Sequence, residues 1–322
     1  MKTSYKSNSS KVDPNAVTTH RGRLTASPLH GATFSSALRQ SGWKSFFCLE
    51  NEKPKSPLSF YLLFIFISFA FASCQWGVPS KQKDTSVDTL SYTYKNIHER
   101  AADCGAKPDS ACTVVKVKYP VFAGKKKLND SVIRKLTSLF AMDGKPDSSI
   151  ALMTKNFLKA YADFKKTDPR TEMFFELNSY AKVLLQDSSF TAIEVGGYTY
   201  QGGAHGGSAT YFINWDTKAN KNLVLGDIFN ADYQDKLKKI GEAIFRKDEK
   251  LSDTASLANN YFFKDDKFAL NDNFLITPFG LKFFYNQYEI KPYAAGTTTL
   301  VIPYSQIKSL LRPNTVVTKY IK

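Results

Sequence analysis

The run Leu58-Ser-Phe-Tyr-Leu-Leu-Phe-Ile-Phe-Ile-Ser-Phe-Ala-Phe-Ala-Ser73, ending at Cys74, decides which part of this chain can fold. Lys53 and Lys55 flank it, it is too short to span a bilayer comfortably, and it closes on small residues. This is the pattern of an export signal over 57–73, so the folded body is expected downstream. Residues 1–56 are rich in Ser, Thr, Lys and Arg without a sustained hydrophobic period, and read as a spurious or disordered leader. No methionine lies between Met1 and Met142, so an internal start would need a non-AUG codon, Leu49 being one such position.

Phe71-Ala72-Ser73-Cys74 is similar to the end of a bacterial lipoprotein signal. That resemblance implies that Cys74 is diacylated on sulfur, becomes the mature N-terminus and tethers the protein to a membrane in the bacterial envelope, outside the cytoplasm. An ordinary secretory signal or a single membrane anchor is the alternative. Residues 1–73 hold nine of the 44 Lys and Arg and three of the 29 acids, so the remainder carries 35 and 26, a net charge of +9. A dispersed +9 hints at anionic partners such as lipid headgroups or wall polymers. It does not form the dense stripe of a nucleic-acid footprint. Lys125-Lys126-Lys127 reads as a solvated loop.

Export also frames the cysteines. Downstream of Cys74 only Cys104 and Cys112 remain, enclosing Gly-Ala-Lys-Pro-Asp-Ser-Ala, and in an oxidising compartment they read as a local disulfide. Loop-closure entropy puts its contribution at about 2.5 kcal/mol. Only His98 and His205 lie in this part, so neither a metal site nor a cofactor is expected.

The remainder divides into a tether with the disulfide loop (74–112), a first module (113–207), a second (208–312) and a tail (313–322). From Gln75 to about Asp103 the sequence is polar and offers few apolar anchors. Val114–Phe122 alternates as a strand, with Pro120 placing it at an edge or breaking it. A helix capped by Asn129-Asp130 carries Leu128, Val132, Leu136 and Leu139, and a second carries Ile150, Met153, Phe157, Tyr161 and Phe164. Strands follow at about 171–185, 190–200 and 208–215, joined by polar or Gly-rich turns. A helix at 231–247, strands at 274–276, 281–285 and 298–302, and a closing helix at 305–311 complete an α+β fold. It has antiparallel sheets with three to four helices packed on them.

Two patterns stand out: Gly196-Gly-Tyr-Thr-Tyr-Gln-Gly-Gly-Ala-His-Gly-Gly207, and Phe279 to Gly296 containing Tyr-Glu-Ile-Lys-Pro-Tyr-Ala-Ala-Gly, followed by Val301-Ile-Pro-Tyr304. With Asp227-Ile-Phe229 they resemble the extracellular C-terminal domain of RsiV-type anti-sigma factors, a domain of unknown function in many bacterial envelope proteins. Val114 to about Gly207 is similar to its companion, the non-catalytic module of PdaC-type proteins. The first resemblance implies recognition of lysozyme outside the cell; the second implies company with a polysaccharide deacetylase, whose own sequence is not found here. The RsiV plan has a transmembrane segment where this chain has the lipoprotein-like signal, so anti-sigma signalling is not carried over.

His205, between glycines, could serve catalysis with Glu194, Asp216 or Glu289 as acid partner. More often a lone histidine in such a turn holds the turn. Tyr198, Tyr200, Tyr285, Tyr288, Tyr293 and Tyr304 form the other candidate, an aromatic platform that, with Gly203, His205 and Glu289, suits sugar rings or a protein hot spot. The competing expectation is that half of these rings are sheet core. The favoured reading is a lipid-anchored, non-enzymatic envelope protein that binds cell-wall glycan or a wall-degrading protein such as lysozyme. The alternatives are a small hydrolase using His205 and a structural envelope component.

Overall fold

The alternation of Val114, Val115, Val117, Tyr119 and Phe122 puts one face of a strand into a core, and these residues form β2 (Val114–Phe122). The computed structural model describes residues 89–141 and 144–321; the leader, the signal segment 57–73, the lipidation residue Cys74 and the first part of the tether lie outside the described residues. Gly77–Lys322 is one compact unit.

Six strands form the larger sheet in chain order: β1 (Tyr92–Arg100), β2, β3 (Glu176–Gln186), β4 (Phe190–Tyr200), β5 (Gly207–Asp216) and the short β6 (Lys221–Asn222). All neighbours are antiparallel except β2 and β3, which run parallel from Val114 opposite Glu176. The parallel pair requires a crossover, supplied by α1 (Lys126–Ser138) and α2 (Ile150–Thr167). A smaller antiparallel sheet holds β7 (Phe274–Ile276), β8 (Gly280–Tyr285) and β9 (Thr298–Pro303). It shares a core with α3 (Gln234–Asp248). The α+β expectation is therefore met.

Strand β4 is buried on both faces, and its alternation feeds two cores. Ile193 and Val195 join Leu128, Val132 and Leu136 of α1 and Phe157 and Tyr161 of α2 in the first core. Phe190 and Ala192 point the other way, toward Leu237 and Phe245 of α3 and Phe283 and Ile302 of the small sheet. The cut at 207 and 208 thus falls between hydrogen-bonded strands, and β5 completes the larger sheet.

Three asparagines stitch the two sheets together. Asn273 donates to the carbonyls of Thr210 (2.8 Å) and Phe284 (2.9 Å) and accepts from the Phe212 amide (3.2 Å). Asn214 donates to Phe274 O (2.7 Å) and accepts from Ile276 N (2.9 Å), and Asn286 accepts from Thr210 N (2.7 Å). The open backbone edge of β5 is satisfied by side chains in place of another strand.

Three expectations are corrected. The polar stretch before Asp103 contains β1, an edge strand with Tyr92, Ile97 and Arg100 half-buried and the rest exposed. An exposed edge strand has the composition of a spacer. Strand β2 lies inside the sheet, and Pro120 is tolerated because the ladder with β3 stops at Lys118. Asn129 is not a cap: α1 starts at Lys126, and the Asn129 amide makes a two-pronged clasp on the backbone of Phe122, at 2.8 and 2.9 Å. The tail folds back, burying Val317 and pairing Lys319 with Asp187.

Candidate functional site

The β4–β5 connection begins with the phenol of Tyr200, which donates to Gly203 O at 3.2 Å and so closes the turn on itself. Gly203 has φ +91°, a left-handed conformation that glycine adopts at no steric cost. At Gly206 the requirement is space: a Cβ there would lie 2.4 Å from the Tyr198 ring and 2.5 Å from Thr199 O. The glycines hold the loop tight and leave His205 exposed at its tip.

A second segment, 286–296, meets it. The Asn286 side chain pins this segment to β5, and Glu289 braces it by accepting from Asn286 N at 2.8 Å and from Asn271 Nδ2 at 2.7 Å. Ile290 is buried and accepts at its carbonyl from Phe262 N, so the segment is anchored on both sides of Tyr288. Tyr288 itself has φ +64° and is 56 % exposed. A bulky residue in the left-handed region is an outlier that the surrounding bonds must enforce.

These supports bring three rings together. His205 stacks on Tyr293 with centroids 3.9 Å apart and planes at 13°. Tyr288 completes the group at 5.4 Å from Tyr293 and 6.2 Å from His205, and its hydroxyl lies 3.4 Å from His205 Nε2. His205 Nδ1 lies 3.2 Å from Gly206 O. The cluster presents aromatic faces, with the Glu289 carboxylate next to Tyr288 held by Asn286 N and Asn271 Nδ2.

The expected acid partners are engaged elsewhere. Glu194 accepts from Tyr180 Oη at 2.9 Å and pairs with Lys182 at 2.8 Å; Asp216 accepts from the turn amides of Lys218 and Ala219; Glu289 is the brace just described. Among the described residues, no three His, Cys, Asp or Glu gather as a metal site. His98 pairs with Asp109 at 2.9 Å over the disulfide loop. The Lys116 hydrogen bond, with His98 adding, holds that carboxyl below its ordinary range. The Cys104–Cys112 disulfide is present, buried at both ends, with Cα atoms 5.4 Å apart.

Tyr285 is a correction. It is 1 % exposed, donates to Ala269 O at 2.9 Å, and burial, with Glu289 nearby, pushes its phenol well above the ordinary value. It belongs to the second core and is not available to a ligand. Tyr304 is likewise buried, donating to Thr277 O at 2.9 Å, and Ile228, Phe229 and Ile302 are core. Most motif residues therefore hold the fold, while His205, Tyr288 and Tyr293 face outward as a group. Asn286, inside the second motif, and Asn271, outside it, complete the site. Asparagine is depleted within strands, and its recurrence around β7 and β8 is the signal in the sequence.

A cavity of about 240 Å³ lies near the base of the same loop, between α1, α2 and the sheet, with Phe140, Met153, Phe157 and Leu177 at its walls and Thr199 and Gln201 at the loop side. It falls below the roughly 300 to 1,000 Å³ of small-molecule sites.

A family model described as a protein of unknown function, DUF3298, matches residues 226–305, and one described as deacetylase PdaC matches residues 106–208. A solved DUF3298-family protein from Bacteroides fragilis is 23 % identical, with 72 % of this chain and 97 % of that chain covered and a TM-score of 0.56. One from Pseudomonas aeruginosa is also 23 % identical, with coverage of 70 % and 95 % and a TM-score of 0.56. No curated protein matches. The chain thus carries DUF3298 and PdaC-type segments within the fold of those two structures. Among the described residues no helix is long and apolar enough to cross a membrane.

Proposed function

We propose that this chain is an envelope binding protein, anchored through Cys74, that recognises cell-wall glycan or a wall-degrading protein such as lysozyme through His205, Tyr288 and Tyr293. The observation that carries this reading is the ring cluster itself: two segments 80 residues apart in sequence are braced by hydrogen bonds so that three rings meet at an exposed tip. Tyr288 is held there at φ +64°, a left-handed backbone conformation that is costly for a bulky residue. Aromatic faces beside amides stack on sugar rings and make hot spots at protein interfaces. The RsiV and PdaC resemblances supply the wall setting.

A hydrolase using His205 finds less support, because Glu194, Asp216 and Glu289 all bond elsewhere. The test is capture of purified muropeptides and of lysozyme by the fragment Gly77–Lys322, with membrane release and acyl labelling of Cys74→Ala run alongside. Retention of one ligand and loss of label support the reading. Failure to retain either ligand removes the binding function, and unchanged label removes the anchor.

A further inference from the structure

The chain enters the fold at one end of the larger sheet. Leu90 O accepts from Gln186 Nε2 at 2.9 Å, and Ser91 O accepts from Ala123 N at 3.0 Å. The strand register places the end of β2, the β3–β4 turn and the β5–β6 turn at this same end, because Tyr92 lies opposite Phe122, Gln186 opposite Thr191 and Asp216 opposite Lys221. The tail joins it through Lys319, which pairs with Asp187 and donates to Ser189 Oγ.

Lysines dispersed in sequence converge here. Lys125 and Lys127 follow β2, and Lys218 lies in the β5–β6 turn. None of the three has a carboxylate partner among the described residues, and Asp216 beside Lys218 is spent on turn amides. Lys221 and Lys319 are each neutralised by one aspartate, and Arg312 donates to Gly226 O at 3.3 Å and shares the field of Asp227 with Lys221. The tail and the β5–β6 turn enclose an open polar concavity of about 590 Å³ lined by Lys218, Lys221, Arg312 and Lys319 together with Asp216 and Asp227.

From these observations we infer that this end of the sheet is a docking face for an anionic phospholipid surface. Charge complementarity and the position of the incoming chain argue for this occupant: the described chain enters the body at the start of β1, the edge strand beside β2, at the same end as the uncompensated lysines. The ring cluster sits at the other end of β4, a strand of eleven residues from Phe190 to Tyr200, and so roughly 30 Å away. A body standing on its cationic end holds His205, Tyr288 and Tyr293 toward the wall. The inference takes its envelope setting from the proposed function and is independent of the ligand.

The test is sedimentation of Gly77–Lys322, which contains both cores and every strand but lacks Cys74, with phosphatidylcholine vesicles with and without phosphatidylglycerol. Binding is expected only to the anionic vesicles and should weaken as salt shortens the Debye length. Lys125→Glu, Lys127→Glu and Lys218→Glu together should weaken it by on the order of a hundredfold or more, from about fivefold per basic residue near a charged surface. The matched triple Lys107→Glu, Lys166→Glu and Lys247→Glu should leave most of the binding. Equal binding to neutral vesicles, or equal loss in the matched triple, overturns the inference. Ligand capture by the docking triple should be unchanged, which separates this result from the fate of the proposed function.

Discussion

The phenol of Tyr180 shows how much a single side chain depends on its neighbours. It donates to Glu194, and desolvation followed by that carboxylate pushes it up to about 12. Tyr261, beside Glu249, and Tyr320 are also raised to about 12. A phenol raised in the folded state keeps a proton that the unfolded chain releases from about pH 10. Its stabilising effect is therefore complete below pH 10 and is lost as pH rises from 10 through 12. The urea midpoint should fall across that window, and the fall should be shallower in Tyr180→Phe; an identical pH profile in the variant would contradict the assignment. At this scale the candidate rings were legible in sequence, but their roles were not. Tyr285 and Tyr288 differ by three positions and by nearly everything else, since one completes a core and the other stands at φ +64° in solvent.

Elements with a strong period were read correctly because burial on one face leaves a pattern: α1, α2, β2 and the three strands β3 to β5 follow their apolar positions closely. Strand β1 escaped because an edge strand with few buried side chains leaves no such pattern. The bridge between sheets escaped for a different reason. Asn214 and Asn273 are 2 % and 8 % exposed, and the backbone they satisfy across the two sheets lies 60 residues or more away, which no local window reveals. Replacing Asn273 by Ala would leave the Phe212 amide without its acceptor and Thr210 O with only the longer bond from Asn286. Stability should drop by about 3 kcal/mol, from one or two buried groups left unpaired. Hydrogen exchange at Phe212 should quicken before that of Ile193; uniform protection in the variant would mean that the bridge carries no such load.

At the scale of the molecule, β4 and β5 are shared property: one face closes the α1–α2 core, the other the α3 and small-sheet core, and their two ends carry different chemistry. Uncompensated lysines gather where the chain arrives, and rings gather where the hairpin turns. A net charge of +9 in sequence could not show that polarity, because it arises only once the register brings Lys125 and Lys218 to the same end. The central claim is that His205, Tyr288 and Tyr293 are a recognition surface and not core. The most direct measurement is a titration of His205→Ala and Tyr288→Ala in Gly77–Lys322 with the ligand retained by the wild type, paired with a thermal melt. The account predicts affinity lower by about tenfold or more with Tm within about 2 °C of wild type. A fall in Tm of about 10 °C, as loss of a core aromatic would produce, or undiminished affinity in both variants, would contradict it.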